Sequence, residues 1–200
     1  MLYIPPGFPH QGQTLTLAMS YSIGFRAPSQ QELFSEMADA LIDANSGLKR
    51  FTSSDEPKLA SQISTSHQKD MMALITELAA NPNCYQAMLG NMLSQNRFEL
   101  DICEPEEAYT SDDISDYIEQ GALLYRIGGL KILKLEDDTE SRIFVNGEAF
   151  GYSDAIDADV QQLCEHFSFD NEQAAHLIQT TATQSLLLEL LNRGYFYFGE

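Results

Sequence analysis

The spacing of apolar positions changes character along this chain, and each change marks an element. Residues 1–27 read as strand, turn, strand: Leu2-Tyr3-Ile4 is a short β-type run stopped by Pro5-Pro6-Gly7, and a second apolar stretch runs from Leu15 to Phe25. Two strands do not make a stable sheet alone, so they are expected either to complete a sheet begun outside these residues or to pack on something else. After Pro28 the period becomes helical. Ser29-x-x-Glu32 is a capping box, and Leu33, Phe34, Met37, Ala40 and Leu41 then fall on one helix face. Past a polar loop through Asn45-Ser46-Gly47, a second helix is predicted over 66–80, with Met71, Leu74, Ile75 and Leu78 inward. Asn81-Pro82-Asn83 breaks it, and a third over 82–95 uses Tyr85, Met88, Leu89 and Met92.

Residues 99–119 hold nine Asp and Glu and no Lys or Arg, with Pro105 among them. That run predicts a linker over 99–110 and a new helix near Ser111. Beyond it, two turn signals stand out. Gly128-Gly129 between residues 123–127 and 130–135 predicts one hairpin, and Asn146-Gly147 between 142–145 and 148–150 predicts a second. Helices are predicted over 155–166, 171–180 and 183–192, then an aromatic strand from Tyr195 to Phe198. The fold class is therefore α+β. Its expected parts are strands over 1–27, a helical unit over 28–98, the acidic linker, and a winged-helix-like domain over 111–200 that folds on its own. The Met-rich helical unit suits either dimerisation or an ordinary intrachain bundle.

Charge narrows the partners. A net charge of −19 repels phosphate backbones, so direct DNA binding is not expected, whereas a basic protein is a fitting partner. No run reaches the roughly 20 apolar residues of a membrane span, and the start lacks the pattern of a secretory leader, which together predict a cytoplasmic protein. Cys84, Cys103 and Cys164 are widely spaced and odd in number, reading as small buried hydrophobes rather than a disulfide or zinc framework.

Four histidines are candidates for chemistry: His10, His67, His166 and His176. The last three lack metal-ligand spacing and read as surface or packing residues. His10 follows Tyr3-Ile4-Pro5-Pro6-Gly7-Phe8-Pro9, where prolines and a glycine stiffen the turn and fix the imidazole, as a metal ligand requires.

The segment from Leu2 to His10, followed by Ala18-Met19-Ser20-Tyr21-Ser22-Ile23-Gly24-Phe25-Arg26-Ala27-Pro28, resembles the end of the double-stranded β-helix of JmjC/cupin-type bacterial ribosomal oxygenases. The resemblance continues through Ser94 to Ile102, Arg126 to Leu130 and Gly194 to Phe198. It implies a C-terminal portion of an Fe(II)- and 2-oxoglutarate-dependent arginine hydroxylase acting on large-subunit ribosomal protein sixteen. It further implies that His10 is the last of three iron ligands, while the Met-rich faces of the helical unit are expected to form a homodimer. Ser20 and Ser22 would face the cosubstrate, or else are strand serines with satisfied hydroxyls; the family carries an asparagine near Ser20. Arg26 either meets substrate or ties the strand region to the helices.

The family's first two ligands come from an H-x-D, and no H-x-D or H-x-E occurs here: His10 precedes Gln-Gly, His67 Gln-Lys, His166 Ser-Phe and His176 Leu-Ile. One imidazole does not retain Fe(II), so the isolated chain is expected to bind neither iron nor cosubstrate tightly and to be inactive. The alternative is a noncatalytic dimerisation and protein-binding module.

Overall fold

The computed structural model describes all residues except 1, 6, 20, 22–25, 54, 55, 57, 58, 60 and 200. Three helices come first: α1 (Gln30–Asp43), α2 (Thr65–Ala79) and α3 (Pro82–Ser94). After an irregular stretch come α4 (Ser111–Glu119), β1 (Leu123–Arg126), β2 (Ile132–Lys134), β3 (Arg142–Val145) and β4 (Glu148–Gly151). A short 3-10 turn leads into α5 (Asp157–Glu165), then β5 (Ser168–Phe169), α6 (Asn171–Leu177), α7 (Thr181–Asn192) and β6 (Phe196–Gly199).

The caps explain the helix starts. Ser29 and Glu32 make the predicted reciprocal capping box of α1, and Thr110 with Asp113 and Asp170 with Gln173 do the same for α4 and α6. Thr180 caps α7 through the backbone N–H of Thr183, so that helix opens at Thr181, not at 183, and α6 stops at Leu177.

Two antiparallel sheets carry the strands, one ordered β5–β1–β6 and the other β2–β3–β4. The hairpin expected at Gly128-Gly129 does not form, because β1 and β2 lie in different sheets. Both edges of β1 are already taken. Arg126 donates its backbone N–H to Phe167 O at 2.9 Å, Ile127 donates to Tyr195 O at 3.0 Å, and β6 pairs along the whole of β1. The chain turns at Gly129 (φ +81°), buries Leu130, and sends Lys131 to Gln95 O at 3.0 Å beyond the end of α3. The Asn146-Gly147 hairpin does form, with both residues in the left-handed region (φ +49° and +88°) that a two-residue turn of this hand requires.

A single core of Ile, Leu, Val and Phe side chains joins α4, α5, α6 and α7 to both sheets. Strand β3 is buried on both faces: Ile143 and Val145 point into that core, while Phe144 packs on α3 at Gly90. The acidic stretch lies along this body. Leu100, Ile102 and Tyr109 pack against the core, and Asn192 clamps Tyr109 by accepting from its N–H at 2.7 Å and donating to its carbonyl at 3.2 Å.

Residues 2–19 correct one expectation. The described residues there form no strand and are almost all exposed, including Leu2, Tyr3, Leu15 and Leu17. Alternating apolar residues become a strand only where a ladder partner accepts their backbone groups, and none is present among the described residues. Neither α1 nor α2 buries a residue fully, so Phe34, Met71 and Ile75, predicted to face inward, stand largely in solvent. Cys103 is also exposed, on the acidic stretch, where its backbone carbonyl rather than its thiol packs against Gly194. No helix of the described residues is long and apolar enough to cross a membrane.

Candidate functional site

The residues before His10 form a tight turn. Phe8 donates its N–H to Pro5 O at 3.4 Å, and Gly7 adopts φ +81°, which a residue with a β-carbon rarely takes. His10 is exposed, and its Nδ1 lies 3.2 Å from Phe8 O. A carbonyl oxygen only accepts, so Nδ1 is the donor in this contact, which does not engage Nε2.

Ser20 and Ser22 lie outside the described residues. Arg26 is placed: its Nη2 meets Glu32 Oε1 at 2.8 Å, while Glu32 Oε2 accepts from Ser29 N at 2.7 Å. The arginine thus ties the chain's first segment to the start of α1. The backbone N–H of Ser29, then its hydroxyl, hold the Glu32 carboxyl below its usual range, with Arg26 contributing less. In the sequence Glu32 is legible only as a capping residue; its i+6 spacing from Arg26 across Pro28 gave no sign of the ion pair.

The other histidines make local contacts, His67 half-buried and His166 and His176 exposed. His67 meets the Phe51 ring edge-on at 5.5 Å, His166 meets Phe169 at 5.9 Å, and His176 Nε2 lies 3.6 Å from Asp159 Oδ1. Among the described residues no three His, Cys, Asp or Glu stand close enough to share a metal ion. A complete facial triad is therefore not assembled among the described residues. Burial pushes the Cys164 thiol up to about 11, far from a reactive thiolate.

In the C-terminal body, β5, α6, α7, β6 and β1 make a helix–turn–helix against a small sheet. In a nucleic-acid reader the helix in the place of α7 would present cations. Here its exposed positions are Thr181, Ala182, Ser185 and Glu189.

This arrangement defines a winged-helix type of α+β domain, preceded by a proline-stiffened segment bearing a lone candidate ligand. The sequence profile described as ROXA-like winged helix matches residues 67–197, and that of the JmjC domain matches residues 1–33. The chain belongs to the ROXA-like winged-helix family and carries the end of a JmjC domain in front of it. Ribosomal protein uL16 3-hydroxylase of Escherichia coli K12 is 35% identical over 202 residues, covering 99% of this chain and 52% of its own length. A crystal structure of the E. coli ribosomal oxygenase YcfD superposes with a TM-score of 0.78 at 28% identity, covering 88% of this chain and 48% of that one. A second YcfD structure, in complex with cobalt and 2-oxoglutarate, gives 0.77 at 28% identity over 89% of this chain and 48% of that one. The chain thus spans about half the length of the relatives it matches.

Proposed function

We propose that this chain is the C-terminal part of an Fe(II)- and 2-oxoglutarate-dependent dioxygenase that hydroxylates an arginine of a large-subunit ribosomal protein. The observation that carries the reading is the 35% identity to the uL16 3-hydroxylase across 99% of the chain. His10 is the last metal ligand in this reading, with Nδ1 held by Phe8 O and Nε2 left for the metal. No H-x-D or H-x-E occurs in the sequence to supply the other two ligands, so in this reading the isolated chain is inactive and no chemical step is assigned to it. By the same resemblance, Ser20 and Ser22 are the residues that would face the cosubstrate.

Its own contribution is architectural. Phe34, Met71, Met72 and Ile75 leave an apolar surface on α1 and α2 that supports homodimerisation. The acidic surface suits a basic ribosomal protein substrate, and the cation-free α7 argues against direct DNA binding. The protein is cytoplasmic in this reading, as ribosomal protein modification requires. The second reading, a noncatalytic dimerisation and protein-binding module, is favoured by the missing H-x-D.

A chimera of the N-terminal half of the E. coli relative joined to this chain decides between them. Mass spectrometry is expected to find one added oxygen on the ribosomal protein, lost in the His10→Ala chimera. A folded chimera that adds none, or one indifferent to His10→Ala, sinks the oxygenase reading.

A further inference from the structure

Helices α1, α2 and α3 enclose a cleft of about 620 Å3 with two chemistries in its lining. Ala40, Leu41, Leu78 and Met88 give it an apolar floor. Along one side Glu36, Asp39 and Asp43, at i, i+3 and i+7 of α1, stand in a single row.

All three carboxylates are exposed, and none makes an ion pair with a described residue. The helices supply little to neutralise them. Helix α1 has no Lys or Arg, α3 has no charged residue, and Lys49, on the segment before α2, is already held by Glu77 at 2.7 Å. Asn91, also in the lining, has a buried side-chain carbonyl with no donor, which an occupant's N–H could satisfy after a modest rotation.

An apolar trough with an unneutralised acidic row along one edge complements a helix with an apolar face and Lys or Arg beside it. We infer that the cleft between α1 and α3 docks a basic amphipathic helix of a protein partner. A second copy offers this cleft no complementary cations from its own α1, which carries the same acidic row. The inference holds whether or not the chain takes part in hydroxylation.

The test is fluorescence anisotropy with a labelled leucine–lysine helical peptide, leucines at i, i+3, i+4 and i+7, against the 200-residue chain. The triple variant Glu36→Gln, Asp39→Asn, Asp43→Asn is expected to weaken binding about tenfold. The control triple Glu104→Gln, Glu106→Gln, Glu107→Gln makes the same charge change on the exposed acidic stretch and is expected to stay within about twofold. Ala87→Phe, which fills the trough, is expected to weaken binding with the circular dichroism unchanged; if that variant does not fold, the two charge triples still decide. Equal weakening by both triples reduces the effect to bulk attraction and overturns the inference. A dimer that Ala87→Phe converts to monomer in sedimentation assigns the cleft to a second copy and overturns it as well.

Discussion

Phe144 seats its ring on Gly90 so closely that a β-carbon at position 90 would lie 2.4 Å from three ring atoms. This contact fastens α3 to the outer face of β3, opposite the main core. Two effects compete in Gly90→Ala. Alanine gains up to about 1 kcal/mol in helix propensity, but the ring sits in a close-packed layer and cannot withdraw freely. Overpacking wins, and the expected loss is about 1–3 kcal/mol in urea unfolding, partly restored by adding Phe144→Leu. A stabilised Gly90→Ala single variant would show that the ring moves without cost.

Asp138 and Arg142 form the most enclosed ion pair among the described residues, with side chains 4% and 10% exposed. Arg142 reaches Asp138 through Nε at 2.9 Å, Nη2 at 2.6 Å and its backbone N–H at 3.0 Å, and these bonds hold the Asp138 carboxyl below its usual range. A carboxyl lowered on folding contributes stability that is full above its unfolded pKa of about 3.9 and is lost as pH falls through the folded value. Asp138→Asn removes one charge from the pair but leaves Arg142 its contact with Glu140 at 2.7 Å, so it is expected to cost about 1–3 kcal/mol at neutral pH. In urea titrations the wild-type advantage should shrink below about pH 4, and an advantage independent of pH would contradict this account.

The clamp between Asn192 and Tyr109 holds the acidic stretch against α7. Asn192→Asp keeps the acceptor for the Tyr109 N–H but loses the donor, whereas Asn192→Ala loses both. Losses of about 1 and 2 kcal/mol are expected respectively, with faster hydrogen exchange at the Tyr109 amide. Unchanged exchange in Asn192→Ala would mean that the packing of Leu100 and Ile102 holds the stretch by itself.

For the metal, the outcome for the 200-residue chain follows from donor count. Titration calorimetry with Fe(II) under anaerobic conditions is expected to show no tight binding, and His10→Ala no difference from wild type. Micromolar affinity that depends on His10 would reveal ligands that the described residues do not supply.

The sequence reads well wherever a signal is local. Asn146-Gly147 predicts its hairpin because only a few residue types tolerate the left-handed backbone that such a turn needs, and Ser29-x-x-Glu32 marks the start of α1 because both halves of the cap lie within one helical turn. It fails where the answer depends on distant neighbours. Gly128-Gly129 looks like a hairpin turn, but β5 and β6, tens of residues away, have taken the edges of β1. Phe144 on an alternating strand reads as half exposed until α3 covers it. The candidate site divides in the same way. The stiff turn before His10 is visible in its prolines and glycine, whereas Glu32 as the partner of Arg26 and the acidic row of α1 became visible only in three dimensions.

Strand β6 pairs with β1 across the full length of both, although residues 127–195 separate them. While a ribosome is still making this protein, β1 must wait with one edge open until residue 199 clears the exit tunnel. Helices α1 to α3 can settle during synthesis, but the winged-helix body closes late, and a nascent chain stalled before β6 presents a bare strand edge to whatever it meets.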